Sequence, residues 1–462
     1  MQIIADLHIH SKYSRAVSPQ MNLEGISFFA AKKGINLVTT GDWTHPLWLR
    51  EIKENLKEVN PGIFTLKNKP GETKFLLSTE ISSIYSQGGQ VRRVHNLIFS
   101  PSIETCEKII KELNIRGCKL MADGRPIVGI SSVDLLKMVL DIDEKVLFIP
   151  AHAWTPWFSI FGSKSGFNSI EECFGDYAKY IYAIETGLSS DPIMNWQIKE
   201  LKNRSIVSFS DAHSTPKLGR EATVFVENSN FPASPAGRQF PISKQTSNFK
   251  QPISNFTYDD IVSAIKQESN SKLKIGYTIE FFPEEGKYHW SGHRVCNIRY
   301  NAKEIKEKGS ICPVCHRPLT VGVENRVLDL SEKLLGPEDL LMVKNKVGLT
   351  FVYDKEKTRR PFVSMIPLLE VLLELNDHSA TKSQKEYERL TTDLGTEFDI
   401  LLRKDYEEIE KTEGEKLRQA IEIVRERRVF VDPGYDGVFG KVKIFKDENE
   451  EVKKEESQQT LF

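Results

Sequence analysis

The chain has 462 residues, of which 39% are hydrophobic and 27% charged, and this composition predicts a large core shared by two or three domains. Its 63 basic and 64 acidic residues give a net charge of −1, so charge neither supports nor excludes a DNA partner, and any nucleic-acid surface is local. No stretch approaches the roughly 20 apolar residues of a membrane span and no secretion signal is evident, so we expect a cytoplasmic protein without a membrane partner.

Short apolar runs in the first half of the chain each end in a histidine or a carboxylate. They alternate with helix-like segments up to about residue 275, as expected of repeated βα units whose strand ends share one mouth. Imidazole together with carboxylate suits borderline and hard divalent ions, so the pattern predicts a polynuclear metal site. The predicted metal ligands are His8, His10, Asp42, Glu80, His95, His152, Glu185, Asp211 and His213.

The first two histidines are two residues apart, which on a strand puts both side chains on one face. His8 and His10 can therefore reach the same ions, and Glu80 is our candidate for a carboxylate that bridges two of them. Each histidine taken singly could be an ordinary solvated surface residue. The full set, with acids at matching positions, favours the metal site.

Residues 228–255 are rich in Ser, Pro, Asn and Gln, and we expect a flexible insertion there. Beyond it, three of the six cysteines cluster with a histidine at the paired spacing of a zinc ribbon. The predicted ligands of this structural zinc are His293, Cys296, Cys312 and Cys315. For the fourth ligand, His289 and His316 remain alternatives to His293. Basic and aromatic residues around this segment suit DNA, or an ordinary solvated surface.

The remainder of the chain is predicted to be mainly helical, with a short charged tail. Apolar residues recur at three- and four-residue spacing in five segments, 337–344, 365–375, 383–394, 406–411 and 414–428. The tail ends in Gln458-Gln-Thr-Leu461-Phe462, which resembles the peptides that bind sliding clamps. A clamp is thus an expected partner through Gln458, Leu461 and Phe462, with a plain disordered end as the alternative.

The metal motifs resemble a known superfamily. Asp6-Leu-His8-Ile-His10-Ser, Glu80, His95, His152 and Asp211-Ala-His213 are similar to the successive motifs of the polymerase and histidinol phosphatase (PHP) superfamily of phosphoesterases. The resemblance covers about the first 275 residues and implies a distorted (β/α)7 PHP barrel with two or three divalent ions. Where that superfamily has Thr-Asp-His, this chain has Thr40-Gly-Asp42, so Asp42 is expected to replace a histidine ligand.

Over nearly its full length the chain resembles the endonuclease Q family. The shared features are the barrel motifs, Gly-His-x-x-Cys followed by Cys-Pro-x-Cys, and the late segment Pro-Gly-Tyr-Asp-Gly-Val-Phe-Gly. The resemblance implies a DNA repair endonuclease that cuts on the 5′ side of deaminated bases (uracil, hypoxanthine, xanthine) and of abasic sites. It also implies Zn, Mg or Mn ions in the barrel. The expected catalytic residues are His8, His10, Glu80, Asp211 and His213.

These interpretations give an α/β fold in four parts. We expect a PHP barrel over 1–275, a small zinc-ribbon-like module over 276–325, a mainly helical C-terminal DNA-binding domain over 326–445, and a tail over 446–462. The alternative function is a metal-dependent phosphatase acting on a small phosphorylated metabolite. A phosphatase function would not account for the zinc module, the C-terminal helices or the tail.

Overall fold

The computed structural model of the protein describes residues 2–69, 73–228 and 255–446. The expected insertion at 228–255 lies, except for its end residues, outside the described part of the chain, as does the clamp-binding peptide with Gln458, Leu461 and Phe462. No helix in the described ranges combines the length and the apolar character that crossing a bilayer requires.

Nineteen strands and fourteen helices, with short 3-10 turns between them, make up the described chain. The strands are β1 Gln2–Asp6, β2 Leu37–Thr39, β3 Leu56–Asn60, β4 Ile63–Leu66, β5 Lys74–Gln87, β6 Gln90–Ser100, β7 Ile127–Val128, β8 Leu147–Pro150, β9 Ala183–Glu185, β10 Ser205–Val207, β11 Ala222–Glu227, β12 Leu273–Glu280, β13 Ser291–His293, β14 Ile298–Tyr300, β15 Leu340–Lys344, β16 Thr350–Asp354, β17 Phe362–Ser364, β18 Phe430–Asp432 and β19 Lys441–Lys443. The helices are α1 Leu23–Lys33, α2 Pro46–Asn55, α3 Ile103–Ile115, α4 Ser132–Ile142, α5 Ile170–Phe174, α6 Pro192–Trp196, α7 Tyr258–Ile265, α8 Ala302–Lys308, α9 Val323–Leu330, α10 Leu368–Leu375, α11 Ala380–Asp393, α12 Glu397–Leu402, α13 Tyr406–Glu413 and α14 Glu415–Arg425.

One large mixed sheet organises the molecule. Its main path runs β15-β16-β17-β12-β11-β1-β2-β5-β4-β3, and β6, β7 and β8 branch from it through β5 and β6. β1, β2 and β5 are parallel neighbours, whereas β11 and β12 are antiparallel. β9 and β10 form a separate parallel pair. The expectation of an α/β fold is confirmed at this level, with a large central sheet and a helical C-terminal region.

The central strands β1 and β12 are buried on both faces, as their apolar residues predict, whereas most residues of the edge strands β3 and β15 are exposed or partly exposed. Successive residues of β1 point to opposite faces, so Ile4 packs in one hydrophobic cluster while Ile3 and Ala5 pack in another. Side chains at the ends of these strands are therefore held by a rigid scaffold.

The structure differs from the sequence prediction in one secondary-structure element and at one expected domain boundary. The segment 337–344, predicted helical, is a 3-10 turn followed by β15, because its apolar run pairs with β16 in a hairpin. The expected domain boundary at 275 falls inside β12, which also pairs with β17 from the region expected to be helical. The expected domain over 326–445 therefore contributes three strands to the same sheet.

Buried polar contacts join the C-terminal helices to α1 and to the β15–β16 turn. Lys33 at the end of α1 donates to Glu397 of α12 at 2.9 Å, and Tyr387 donates to the same carboxylate at 2.8 Å. The fully buried guanidinium of Arg425 donates to four backbone carbonyls, one of them that of Val347 beside the β15–β16 turn. Charge-assisted bonds of this kind are among the strong ones in proteins.

Candidate metal centre and active site

The backbone after β1 brings the ends of two distant segments side by side. Ile9 bridges Ala212, and the N–H of His10 donates to the Ala212 carbonyl at 3.0 Å. Residues alternate in direction along this extended stretch, so His8 and His10 point to the same side and face Asp211. A pairing between positions about 200 residues apart thus assembles the first part of the site.

The first cluster consists of His8, His10 and Asp211. The Nε2 atoms of the two histidines lie 3.6 Å and 3.1 Å from Oδ1 of Asp211. All three atoms are buried and have no hydrogen-bond partner among the described residues. An unpaired buried polar atom is costly, and three that converge are what a bound cation would satisfy. The residues present therefore fit a metal ion.

The second cluster consists of Glu80, His95 and His152. Oε1 of Glu80 lies 2.8 Å from Nδ1 of His95 and 3.1 Å from Nε2 of His152. Its other oxygen, Oε2, lies 3.4 Å from Nε2 of His10. Glu80 thus reaches both clusters, which is the geometry that a bridging carboxylate requires.

Two other predicted ligands lie behind the histidines. Glu185 contacts Nδ1 of His8 at 2.9 Å and accepts from the backbone N–H of His152 at 2.7 Å. Asp42 contacts Nδ1 of His10 at 3.0 Å, while its second oxygen accepts from the N–H of Ser11 at 2.6 Å. A carboxylate on the far ring nitrogen fixes the tautomer of a metal-binding histidine, so both acids are placed to orient His8 and His10.

His213 lies at the rim of the site. Its ring packs edge-on against that of His10, with centroids 4.7 Å apart, and its Nδ1 contacts the carbonyl of Asp211 at 2.9 Å. It is the most exposed of the predicted ligands, with 34% of its side chain accessible. In this arrangement it borders the first cluster without entering it.

The backbone at the site is held in an uncommon conformation. Asp42, His152 and Asp211 all have positive φ angles, 48°, 28° and 47°. Non-glycine residues rarely adopt this region, and where they do the surrounding structure overdetermines them, often at functional sites. The three residues are held there by the contacts described above.

Electrostatics in the site favour cationic partners for its carboxylates. Burial disfavours the charged form of His8, but the carboxylates of Glu185, Asp211 and Glu80 outweigh burial and raise its pKa well above the usual value. Burial likewise opposes ionisation of Asp211, yet the neighbouring His8 and His10 hold its pKa well below the usual range. The site is thus an acid-rich pocket that attracts positive charge.

Arg125 is a site residue that the sequence analysis missed. Its Nη1 lies 3.2 Å from Oε2 of Glu80, and a quarter of its side chain is exposed. The loop before it approaches the site closely, since a Cβ on Gly124 would lie 2.6 Å from Oδ2 of Asp42. Arg125 stands in an irregular loop with no periodic pattern, so no sequence signal identified it.

Arg92, three residues before His95, has a structural role. Its buried guanidinium lies over the Phe167 ring, and its Nη2 donates to Glu172 at 3.1 Å.

The cysteine cluster lies in a separate segment. His293 ends β13, Cys296 follows in a 3-10 turn, and Nδ1 of His293 lies 3.4 Å from Sγ of Cys315. The ligand atoms of all four predicted residues, including Cys312, lie within 4.8 Å of one another. Three cysteines and one histidine are a usual donor set for structural zinc, so these residues fit that ion.

The alternatives for the fourth position lie elsewhere. His289 is buried, with its Nδ1 3.4 Å from the carbonyl of Ser189, and His316 is exposed. Neither belongs to the group of four. Within the group, desolvation opposes ionisation, but the backbone N–H groups of Cys315 and Val314 lower the pKa of Cys312 to about 6.

The loop after His152 joins the metal centre to the cysteine segment. Ser163 donates to the carbonyl of Val321 at 2.9 Å, and Arg326 donates to the carbonyl of Phe161 at 2.9 Å. The rings of Trp157 and Tyr288, both partly exposed, meet edge-on with centroids 5.7 Å apart. These two rings, one from each segment, therefore form an aromatic surface where the loop after His152 meets the cysteine segment.

Two solved structures are similar to this chain over nearly its whole length. One is the lesion-specific endonuclease PfuEndoQ from Pyrococcus furiosus, with 27% identity, a TM-score of 0.75, and coverage of 98% of this chain and 99% of that one. The other is an endonuclease Q bound to a 27-mer duplex substrate with an abasic lesion at the active site, with 27% identity, a TM-score of 0.76, and coverage of 98% and 100%. The resemblance to endonuclease Q is confirmed by these matches.

Sequence comparisons find one matching family model and two relatives. The family described as the MJ0043 C-terminal domain matches residues 367–428. The uncharacterized protein MJ0043 of Methanocaldococcus jannaschii is 28% identical over 66% of this chain, and the match spans only 33% of that longer protein. The uncharacterized protein YqxK of Bacillus subtilis is 25% identical over 96% of this chain and 99% of its own length.

Proposed function

From this full-length resemblance to endonuclease Q, we propose that the chain is a metal-dependent DNA repair endonuclease. It hydrolyses the phosphodiester on the 5′ side of abasic sites and of the deaminated bases uracil, hypoxanthine and xanthine. The observation that carries the proposal is the match, along 98% of the chain, to an endonuclease Q solved with an abasic duplex. The two clusters of ligand-type side chains at the strand ends support it independently.

The proposal includes a distorted (β/α)7 barrel of the PHP type in the N-terminal region. Ligand-type residues stand within, or up to four residues after, seven strands, β1, β2, β5, β6, β8, β9 and β10. Their convergence supports a single mouth, to which Glu80 and His95 contribute from within β5 and β6.

The side chains at this mouth have different proposed roles. His8, His10 and Asp211 would hold one ion, and Glu80, His95 and His152 a second, with Glu80 between them. Bound Zn, Mg or Mn ions supply Lewis acidity and a water that loses its proton near neutral pH. Glu185 and Asp42 keep the Nε2 atoms of the two histidines turned into the site. His213, at the rim, is a proposed further ligand, and Arg125 is placed to bind a phosphate oxygen.

To recognise a lesion, the enzyme has to reach the damaged base or the position from which a base is missing. A deaminated edge is hidden inside a duplex, so the nucleotide has to leave the stack, at a cost of a few kcal/mol. We assign the aromatic surface of Trp157 and Tyr288 to this step, because flat rings beside the mouth can stack on an unpaired base. The zinc module at His293, Cys296, Cys312 and Cys315 would fix Tyr288 and grip the DNA with the helical C-terminal region.

Two further parts of the proposal rest on the sequence alone. Gln458, Leu461 and Phe462 would bind a sliding clamp and raise the local concentration of the enzyme on DNA. A DNA substrate implies that the enzyme works at the nucleoid, in the cytoplasm.

A nicking assay tests the proposal. A labelled duplex carries one abasic site or one uracil, and its matched control is the same duplex without the lesion. With Mg²⁺, Mn²⁺ or Zn²⁺ present, we expect one cut at the 5′ side of the lesion and none in the control duplex. Release of phosphate from small phosphorylated metabolites without DNA cleavage would instead support the phosphatase. Binding of the lesion duplex without any turnover would contradict both enzymes.

A further inference from the structure

A second charged cavity lies outside the metal centre. It has a volume of about 280 Å³ and is lined by the start of β10, the end of α7 and the loop between β16 and β17. Its cationic side chains are Lys202, Arg204, Lys266, Arg359 and Arg360, and the ring of Trp196 forms part of the wall. We propose that this cavity binds the phosphate group of a small phosphorylated molecule.

Four of the five cations of the cavity form no ion pair with an acid in the described part of the chain. Within the described residues, Lys202, Arg204, Lys266 and Arg359 make no ion pair within 4.0 Å. Arg204 donates instead to the carbonyls of Ile181, Glu200 and Ala178, which hold the guanidinium without neutralising it. Elsewhere on this chain, charged side chains commonly pair at such distances, as Lys217 does with Glu370. A cluster of unneutralised cations is a site for an anion.

Arg359 of the β16–β17 loop is fixed in place. Arg359 donates through Nη1 to the carbonyls of Leu201 and Lys202 at 2.9 Å and 3.2 Å. Its backbone N–H is held by Asp354, which also accepts from Thr358. The loop is thus tied to the cavity wall, and little ordering remains to be done when a ligand binds.

The charge of one cavity arginine also lowers the pKa of a nearby lysine. Lys274 is buried in β12, and burial, assisted by the charge of Arg360, lowers its pKa to about 7.

The position and size of the cavity define the ligand. Ser205 starts β10 at the cavity, whereas Asp211 of the metal centre lies six residues further along the chain, so these two residues are at most roughly 20 Å apart, the length of an extended chain of that size. A volume of about 280 Å³ lies near the lower end of the range of small-molecule pockets, about 300–1,000 Å³. A phosphate monoester fits better than a duplex, because a duplex cannot enter a concave pocket of this size.

Calorimetric titration of the full-length protein with inorganic phosphate and with deoxythymidine 5′-monophosphate tests the inference. The variant is Lys202→Glu with Lys266→Glu, and the matched control is Lys346→Glu, an exposed lysine in the β15–β16 turn at the other end of β16. We expect both probes to bind the parent and the control alike, and the double variant to lose about tenfold or more in affinity. The neutral pair Lys202→Gln and Lys266→Gln should lose less, and its melting curve checks the fold.

The design separates this cavity from the metal centre, which also attracts phosphate. Binding that is equal in all variants would lie at the metal centre and would overturn the inference. Absence of binding to the parent would overturn it as well. If only an undamaged duplex bound in a manner sensitive to Lys202 and Lys266, the cavity would serve the DNA backbone and not a small molecule. None of these outcomes depends on nuclease activity.

Discussion

The two candidate metal sites of this chain are built in opposite ways. The strand-end site collects His8, Glu80 and Asp211 from segments up to about 200 residues apart, and nearly all of it is buried. The cysteine site takes all its ligands from residues 293–315, and three of the four are partly exposed. Mixed imidazole and carboxylate ligands suit ions that do chemistry, whereas a closed set of thiolates and imidazole suits a structural ion.

The surroundings of the two sites differ as well. Carboxylates of Glu185 and Asp42 stand behind the histidines of the first site, and Arg125 contacts its bridging acid. At the cysteine site, backbone N–H groups are the main neighbours of the Cys312 thiol. The difference teaches that the strand-end group is held by side chains from many segments, whereas the cysteine group is assembled from two short neighbouring segments. Each prediction below tests one side of this contrast.

The largest effect is expected at the first cluster. Replacing His8 by Ala or Asp211 by Asn removes a proposed ligand, and nicking of an abasic duplex should fall by about 10³-fold or more. DNA affinity and the melting curve should change little. The control is His378→Asn, an exposed histidine outside both clusters. Nicking at the parent rate by either active-site variant would mean that the centre is wrongly assigned.

The acids behind the histidines should matter less. Asp42→Asn and Glu185→Gln keep the shape of the side chain and weaken the orientation of His10 and His8, so metal affinity or nicking should drop by about 10–100-fold. Titration of metal-depleted protein with Mn²⁺, followed by nicking, measures this. A loss as large as that of Asp211→Asn would make Asp42 or Glu185 a direct ligand, as the sequence analysis expected.

Proton competition should make metal binding depend on pH. His8 has a pKa raised above 6.5 in the metal-free protein, because carboxylates outweigh the effect of burial, and the imidazole must be neutral to bind an ion. Metal affinity should therefore rise as pH increases through this raised pKa. The charged form stabilises the metal-free fold below about pH 6.5 and this stabilisation is lost at higher pH, so the melting temperature of the metal-free protein should fall over that window.

Calorimetry in buffers of different ionisation enthalpy counts the protons released when metal binds near pH 7. Binding without proton release, or a metal-free protein that becomes more stable between pH 6.5 and 9, would contradict this assignment.

At the cysteine site we expect a loss of structure more than of chemistry. Cys312→Ser should remove one zinc per chain, lower the melting temperature by several degrees and weaken DNA binding, while the ions of the strand-end site remain. Elemental analysis and thermal unfolding measure these changes. Cys118→Ser, at a free cysteine outside the cluster, is the matched control. Unchanged zinc content and stability in Cys312→Ser would remove the structural role.

The smallest effect concerns the tail. Deleting residues 458–462 should leave basal nicking unchanged and abolish any stimulation by a sliding clamp. Stimulation that survives the deletion would show that the clamp, if it binds, binds elsewhere.

Most of the predicted ligands lie at or shortly after strand ends, so the pattern of apolar runs predicted the convergence, whereas Glu80 and His95 lie within β5 and β6. The same pattern could not show that Asp42 and Glu185 contact Nδ1 of the histidines, because it carries no information on side-chain placement. The sequence did not identify Arg125 as a site residue, because Arg125 lies in an irregular loop without a periodic pattern. The run from Leu340 to Val343 fits a helix or a strand equally, and only its pairing with β16 decides between them.

The most direct test of the account is an anomalous-scattering map of crystals grown with Mn²⁺ and Zn²⁺. We predict peaks between His8, His10 and Asp211 and between Glu80, His95 and His152, and a separate zinc peak among the three cysteines and His293. A map with density at the cysteines alone, and none at the strand ends when nicking activity is present, would contradict it.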